Sequence, residues 1–280
     1  MTIPEADREQ IVTRRLRAAG CVFAEDETRL LLDEAADGDA LESMVAERVA
    51  GRPLEQVLGW AAFAGRRIVV EPGVFVPRRR TELVLRQAEA APAEAGIAAA
   101  APAAAVARDG RATRPLAVLE LCCGAAAVAT VLAAEHPGVD LWATDLDPAA
   151  VHCARHNLDE RGTVVRGDLF DGLPVSLRGR FRVIAANAPY VPTDAIPSMP
   201  PEARLHESPL ALDGGADGLD LHRRIAAEVG DWLAPGGTLV LETSERQAAD
   251  TQEALVAAGL RARVVRDDEI DGTVVVAVAP

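Results

Sequence analysis

The first fifty residues carry apolar positions at helical spacing, separated by charged side chains. Val12 and Leu16 belong to one apolar stripe, Leu30 lies in the next, and Gly20 interrupts the pattern between them. This arrangement predicts a small helical domain over residues 1–50.

The pattern changes after residue 50, where glycine, proline and short β-rich runs take over. Runs at 67–70 and 74–76 predict a β-hairpin connector over residues 51–82, which leads into a helix at Thr81. Residues 83–115 are predicted to be this helix followed by an Ala/Pro-rich linker.

From residue 116 onward, short apolar runs alternate with helical stretches. The predicted strands lie at 116–121, 139–145, 163–168, 181–187, 237–243, 261–265 and 273–279. Such alternation predicts an α/β domain over residues 116–280 with a mostly parallel, doubly wound sheet. The connection between the last two strands is too short for a parallel crossover, so we predict that the last strand runs antiparallel.

Composition narrows the classes of function. The 280 residues carry a formal net charge of −14, which disfavours direct nucleic-acid binding, since that affinity comes mainly from basic contacts to phosphates. The chain contains no lysine, which excludes Schiff-base chemistry and a P-loop. Four cysteines without paired spacing, a polar start and no long apolar run predict a cytoplasmic protein without membrane spans.

Candidate ligand-binding residues follow the predicted strands, where sheets of this kind bind their ligands. Asp145 ends the second strand, about twenty residues beyond Gly124, where a carboxylate accepts hydrogen bonds from ribose hydroxyls. Asp168 follows the third strand and is expected to meet an adenine amino group, with Phe170 packing on the ring. Taken alone, Asp145 could instead cap the helix that begins at Pro148.

Two histidines on the next predicted helix have the spacing of zinc ligands. His152 and His156 lie four residues apart, but Cys153 breaks the H-E-x-x-H motif and the sequence offers no third ligand. We therefore expect surface histidines and no metal site.

The fourth strand ends in Asn187-Ala188-Pro189-Tyr190, a tetrapeptide that would be read as a turn if it stood alone. It occurs together with four other segments in a fixed order. These are R-P-L-E-Q-V-L-G…F-A-G at 52–65, V-P-R-R-R-T-E at 76–82, H-E-S-P-L-A-L-D-G-G-A-D-G-L at 206–219 and L-A-P-G-G-T-L-V-L-E at 233–242. Over nearly its whole length the chain resembles the bacterial protein glutamine-N(5) methyltransferases, which modify peptide chain release factors, and their relatives that act on a ribosomal protein.

The resemblance implies a Rossmann-like methyltransferase fold, S-adenosyl-L-methionine as cofactor and a peptide chain release factor as protein substrate, held in part by the helical N-terminal domain. The implied cofactor-binding residues are Glu120, Cys122, Cys123, Gly124, Ala125, Ala126, Asp145, Leu146, Asp168, Leu169, Phe170 and Asn187. The implied catalytic residues are Asn187, Ala188, Pro189 and Tyr190. The Asn187 side chain and the carbonyl of residue 188 would accept hydrogen bonds from the NH₂ group of the substrate glutamine, and Tyr190 would pack beside it.

Several positions depart from the family pattern. Cys122 and Ala126 replace the outer glycines of G-x-G-x-G, Ala188 replaces a proline, and Arg80 replaces a glutamate. Alanine keeps the backbone carbonyl at position 188, so we expect that change to be tolerated. The other departures bear on cofactor affinity and on the identity of the substrate.

Four alternatives remain open at this point. A nucleic-acid N(6)-adenine methyltransferase uses a related motif, although the net charge of −14 disfavours it. A methyltransferase of small metabolites and a non-catalytic binding protein on the same fold are two others. A nicotinamide oxidoreductase is disfavoured because G-x-G-x-x-G is missing.

Overall fold

A computed structural model of the chain describes residues 5–94 and 117–280. Beyond Glu94, the Ala/Pro-rich linker predicted up to residue 115 lies outside the described residues. None of the helices within the described ranges is long and apolar enough to cross a membrane.

The described N-terminal unit, residues 5–58, contains α1 (Glu5–Ala18), α2 (Ala24–Glu34), α3 (Gly38–Val49) and α4 (Leu54–Leu58). These helices bury a common apolar core that includes Leu16, Leu31 and Val45. Asp37 caps α3, since its side chain accepts a hydrogen bond from the backbone N–H of Ala40 at 2.8 Å.

A β-hairpin follows, in which β1 (Trp60–Phe63) pairs antiparallel with β2 (Arg66–Val69). The turn residues Ala64 and Gly65 have φ angles of 46° and 73°, the left-handed conformation that tight two-residue hairpins require. The prediction of a strand at 74–76 is wrong. Val76 donates its N–H to the carboxylate of Glu207 at 3.2 Å, so this run pairs with a side chain instead of a strand.

Within residues 117–280 a seven-stranded sheet forms the predicted α/β core. Its strands are β3 (Ala117–Leu121), β4 (Asp140–Asp145), β5 (Thr163–Arg166), β6 (Phe181–Ala186), β7 (Leu233–Glu242), β8 (Arg261–Asp267) and β9 (Gly272–Val278). The strand order is β5-β4-β3-β6-β7-β9-β8, and β9 runs in the opposite direction to the other six strands. This confirms the predicted fold class and the antiparallel last strand.

Helices cover both faces of the sheet, as a mostly parallel sheet requires. They are α5 (Glu82–Glu94), α6 (Ala127–Glu135), α7 (Pro148–Leu158), α9 (Asp220–Trp232) and α10 (Ala248–Ala257), and a short α8 (Pro201–His206) lies in the connection after β6. α5, α6 and α7 pack on one face, while α9 and α10 pack on the other. α9 is missing from the predicted elements, although Ile225, Val229 and Trp232 give its buried side a regular helical spacing.

A buried ion pair ties the N-terminal unit to α8. The guanidinium of Arg48 donates to both carboxylate oxygens of Glu27, at 2.6 and 3.1 Å, and to Glu202 of α8 at 2.7 Å. The side chains of Arg48 and Glu27 are only 7% and 11% exposed. Removal of one partner would leave the other charge buried without compensation.

We expect Arg48→Ala to lower the free energy of unfolding by about 3–5 kcal/mol, because Glu27 would then be buried alone. Arg15→Ala is the matched control: its partner Glu42 is 64% exposed, so a loss below about 1 kcal/mol is expected. Urea denaturation of both variants measures the difference. Equal, small losses would contradict the structural role of Arg48.

Candidate active site

A cavity of about 630 Å³ opens at the carboxyl edge of the sheet, where β3, β4 and β6 end. This volume is within the usual range for small-molecule sites. The predicted residues that line it are Glu120, Cys122, Cys123, Gly124, Ala125, Asp145, Leu146, Asp168, Leu169, Asn187, Ala188, Pro189 and Tyr190. The structure thus brings most of the predicted cofactor-binding and catalytic residues to one place.

Two predicted cofactor-binding residues lie elsewhere. The ring of Phe170 is buried and stacks on Trp232, with ring centroids 5.5 Å apart, so it belongs to the core. This corrects the prediction that Phe170 packs on an adenine ring. Ala126 is fully buried at the start of α6 and does not line the cavity.

The loop after β3 keeps a glycine-like backbone without its outer glycines. Cys122, Gly124 and Ala126 have φ angles of 50°, 53° and 55°. Left-handed conformation strains a residue that has a Cβ atom by roughly 1–2 kcal/mol, and only glycine adopts it freely. Cys122 and Ala126 therefore adopt, with backbone strain, a conformation that glycine would adopt freely.

The carboxylate of Asp145 joins the β4 end to this loop. One oxygen accepts from the N–H of Gly124 at 2.8 Å, and the other accepts from the N–H of Asp147 at 2.9 Å. Burial raises the pKa of Asp145, and these two backbone hydrogen bonds oppose the rise. A carboxylate has about four acceptor positions, so each oxygen retains capacity for a ribose hydroxyl. The site therefore suits the sugar of the predicted cofactor.

Glu120, near the end of β3, is a second buried acid of the cavity. One of its oxygens accepts from the N–H of Ala129 in the first turn of α6 at 2.7 Å. Burial raises the pKa of Glu120 to about 8 despite hydrogen bonds from the backbone of Ala129 and Val128.

Asp168 reaches the cavity with a partner that the sequence reasoning missed. Its carboxylate pairs with Arg224 of α9 at 2.9 Å, and both residues line the cavity. Arg224 went unrecognised because α9 itself was not among the predicted elements. The ion pair fixes one oxygen of Asp168.

The N-A-P-Y segment forms the far wall of the cavity. The side-chain NH₂ of Asn187 donates to the hydroxyl of Thr81 at 3.2 Å. Neither the side-chain oxygen of Asn187 nor the carbonyl of Ala188 accepts a hydrogen bond from the described residues. Both acceptors are therefore unoccupied, and both residues line the cavity.

Behind this wall lies a buried acid that was not predicted. Glu242, at the end of β7, accepts from the Tyr190 hydroxyl at 3.2 Å and from Nε of Arg80 at 3.3 Å. Burial raises the pKa of the Tyr190 hydroxyl, which keeps it protonated as a donor. A carboxylate at the end of the strand beside β6 was the available signal, because neighbouring parallel strands end at the same edge.

His152 and His156 both lie near the carboxylate of Glu71. Nε2 of His152 is 3.6 Å and Nδ1 of His156 is 3.9 Å from Oε1 of Glu71. No group of three acidic, histidine or cysteine side chains suited to a metal ion occurs within the described residues.

Comparison with known proteins gives a consistent result. The family model for the methyltransferase small domain matches residues 110–215. The release factor glutamine methyltransferase of Cereibacter sphaeroides is 32% identical over 290 residues, covering 95% of each chain. The enzyme of that name from Geobacter sulfurreducens is 34% identical over 212 residues, covering 75% of this chain and 66% of the relative, slightly under two thirds.

A relative with a different name is equally similar. The 4-amino-L-phenylalanine/4-methylamino-L-phenylalanine methyltransferase of Streptomyces pristinaespiralis is 33% identical over 258 residues, covering 91% of this chain and 82% of the relative.

The sheet, the cavity at its carboxyl edge and these similarities define a methyltransferase with a Rossmann-like fold. The chain belongs to the protein glutamine-N(5) methyltransferase family. Its relatives in that family include release factor glutamine methyltransferases.

Asp145→Ala is expected to weaken the binding of S-adenosylmethionine at least about 10-fold, because hydrogen bonds from hydroxyls to a charged acceptor are lost. Titration calorimetry measures the affinity. Asp140→Ala, at the opposite end of β4, is the control and should bind normally. Unchanged affinity in Asp145→Ala would refute the ribose assignment.

Glu120 should make stability depend on pH. Its pKa rises from 4.5 to about 8 on folding, so the folded chain holds a proton that the unfolded chain releases. Stability is then lost as pH rises through this window. We expect the stability of Glu120→Gln relative to the original chain, measured as the difference in their unfolding temperatures, to increase between pH 5 and pH 8. A constant difference would contradict the buried, protonated state.

Proposed function

We propose that this enzyme transfers a methyl group from S-adenosyl-L-methionine to the side-chain amide nitrogen of a glutamine, in the Gly-Gly-Gln loop of a peptide chain release factor. The observation that carries the proposal is the pair of available acceptors on the cavity wall, the side-chain oxygen of Asn187 and the carbonyl of Ala188. The names of the relatives support the choice of substrate.

The residues present suit the cofactor. Asp145 would hold the ribose, Asp168 would face the adenine amino group, and the loop around Gly124 would lie against the cofactor. When bound, the cofactor supplies a methyl group on an electrophilic sulfonium.

The N-A-P-Y wall of the cavity, residues 187–190, is called the acceptor wall below. It compensates for the low nucleophilicity of the substrate nitrogen. A glutamine amide nitrogen is a poor nucleophile, because its lone pair is delocalised into the carbonyl group. Two acceptors that hold both N–H bonds orient the NH₂ group for in-line attack and favour positive charge on its nitrogen. Tyr190, held by Glu242, closes the side of the pocket next to this group.

A second candidate acceptor is the aromatic amino group of a free amino acid. The relative from Streptomyces pristinaespiralis is named for such a substrate and covers 91% of this chain. Arg80, which lines the cavity beside Tyr190 and Glu242, adds a positive charge suited to a carboxylate. The same two oxygens would hold the NH₂ group of an arylamine.

Mass spectrometry of a release factor after incubation with the enzyme and S-adenosylmethionine tests the proposal. We expect one added methyl group on the glutamine of the Gly-Gly-Gln loop, and none on a release factor with alanine there. Asn187→Ala should slow the transfer at least about 100-fold, as loss of a preorganised polar group does in other enzymes, while cofactor binding stays largely intact.

A parallel incubation with 4-amino-L-phenylalanine separates the two candidates. Methylation of the amino acid and not of the release factor would replace the first proposal by the second. Normal turnover by Asn187→Ala on either acceptor would refute the role of the acceptor pair.

A further inference from the structure

The role of Asn187 depends on which way its amide group points. Rotation by half a turn would exchange the oxygen for an NH₂ group, which repels the NH₂ of a methyl acceptor instead of binding it. A group must therefore distinguish the two ends of the amide. In the structure that group is Thr81, whose hydroxyl oxygen accepts from Nδ2 of Asn187 at 3.2 Å.

Thr81 is held rigidly enough for this task. Its side chain is buried in the 3₁₀ turn that precedes α5, and its backbone N–H donates to the carbonyl of Arg78 at 3.0 Å. A hydroxyl both donates and accepts, so it would orient an amide only if its own proton were directed elsewhere.

Glu242 is the acceptor available to that proton. Burial raises the pKa of this carboxyl, while hydrogen bonding by Thr81 and the charge of Arg80 hold it down. The second oxygen of Glu242, Oε2, is buried and accepts no hydrogen bond from the described residues, so it is open to the hydroxyl proton of Thr81, whose lone pair would then face Asn187. Glu242 lies in the sheet, paired with Val274 of β9, and is 1% exposed, so it cannot turn away.

We propose that Thr81 is a positioning residue for methyl transfer: its hydroxyl, oriented by Glu242, fixes the amide of Asn187 with the oxygen toward the methyl acceptor. This inference rests on the proposed role of Asn187. Glu242 holds Tyr190 through a direct hydrogen bond, so one buried acid organises both polar side chains of the acceptor wall.

Thr81→Val keeps the shape of the side chain and removes the hydroxyl. We expect kcat to fall about 10-fold, the effect of one lost hydrogen bond of about 1.4 kcal/mol, with unchanged affinity for S-adenosylmethionine by calorimetry. Thr81→Ser retains the hydroxyl and should restore kcat to within about 3-fold of the original. A structural defect would not be rescued in this way.

A double-mutant cycle tests whether Thr81 acts through Asn187. In the Asn187→Ala background, Thr81→Val should cause no further loss of kcat, because there is no amide left to orient. Full additivity of the two losses, or a serine variant as slow as the valine variant, would overturn the proposal.

A second measurement needs no methyl acceptor and so separates this proposal from the proposed function. The side-chain NH₂ signals of Asn187 in a ¹⁵N spectrum are identified by their absence from Asn187→Ala. Thr81→Val should shift or double them and Thr81→Ser should not; unchanged signals in Thr81→Val would overturn the proposal. If the original enzyme methylates neither acceptor, the proposed function fails, while shifted signals still support control of Asn187 by Thr81.

Discussion

Buried carboxylates need hydrogen-bond donors, and this requirement shapes the carboxyl edge of the sheet. Glu120 takes its donors from the first turn of α6, and Asp145 takes its donors from the two loops beside it. Glu242 takes Tyr190 and Arg80. Each acid therefore fixes a neighbouring segment, and together these segments form the walls of the cavity.

The same requirement operates where the N-terminal part meets the sheet. Glu207, also buried, accepts from the backbone of Val76 and from Arg78, which brings the connector after the hairpin against the segment that follows α8. Arg48 joins α3 to α8 through Glu202. The helical unit is thus linked to the connection that leaves the N-A-P-Y segment.

Local patterns were enough to predict the strands of the seven-stranded sheet, its antiparallel end and the position of Asn187, because each depends on neighbouring residues. Contacts between distant parts of the chain were not accessible in this way. Thr81 and Asn187 are 106 residues apart, and nothing near either residue indicates the other. Phe170 was misassigned for the same reason, since its partner Trp232 lies on a helix that follows much later.

The left-handed residues after β3 show what the cofactor loop preserves. At positions 122 and 126 the torsion angles are those of glycine while the residues are cysteine and alanine. Searches keyed to glycine identity would pass over such a loop, whereas a criterion based on φ at three alternating positions would detect it. Other enzymes with eroded glycine signatures should be recognisable by the same geometric test.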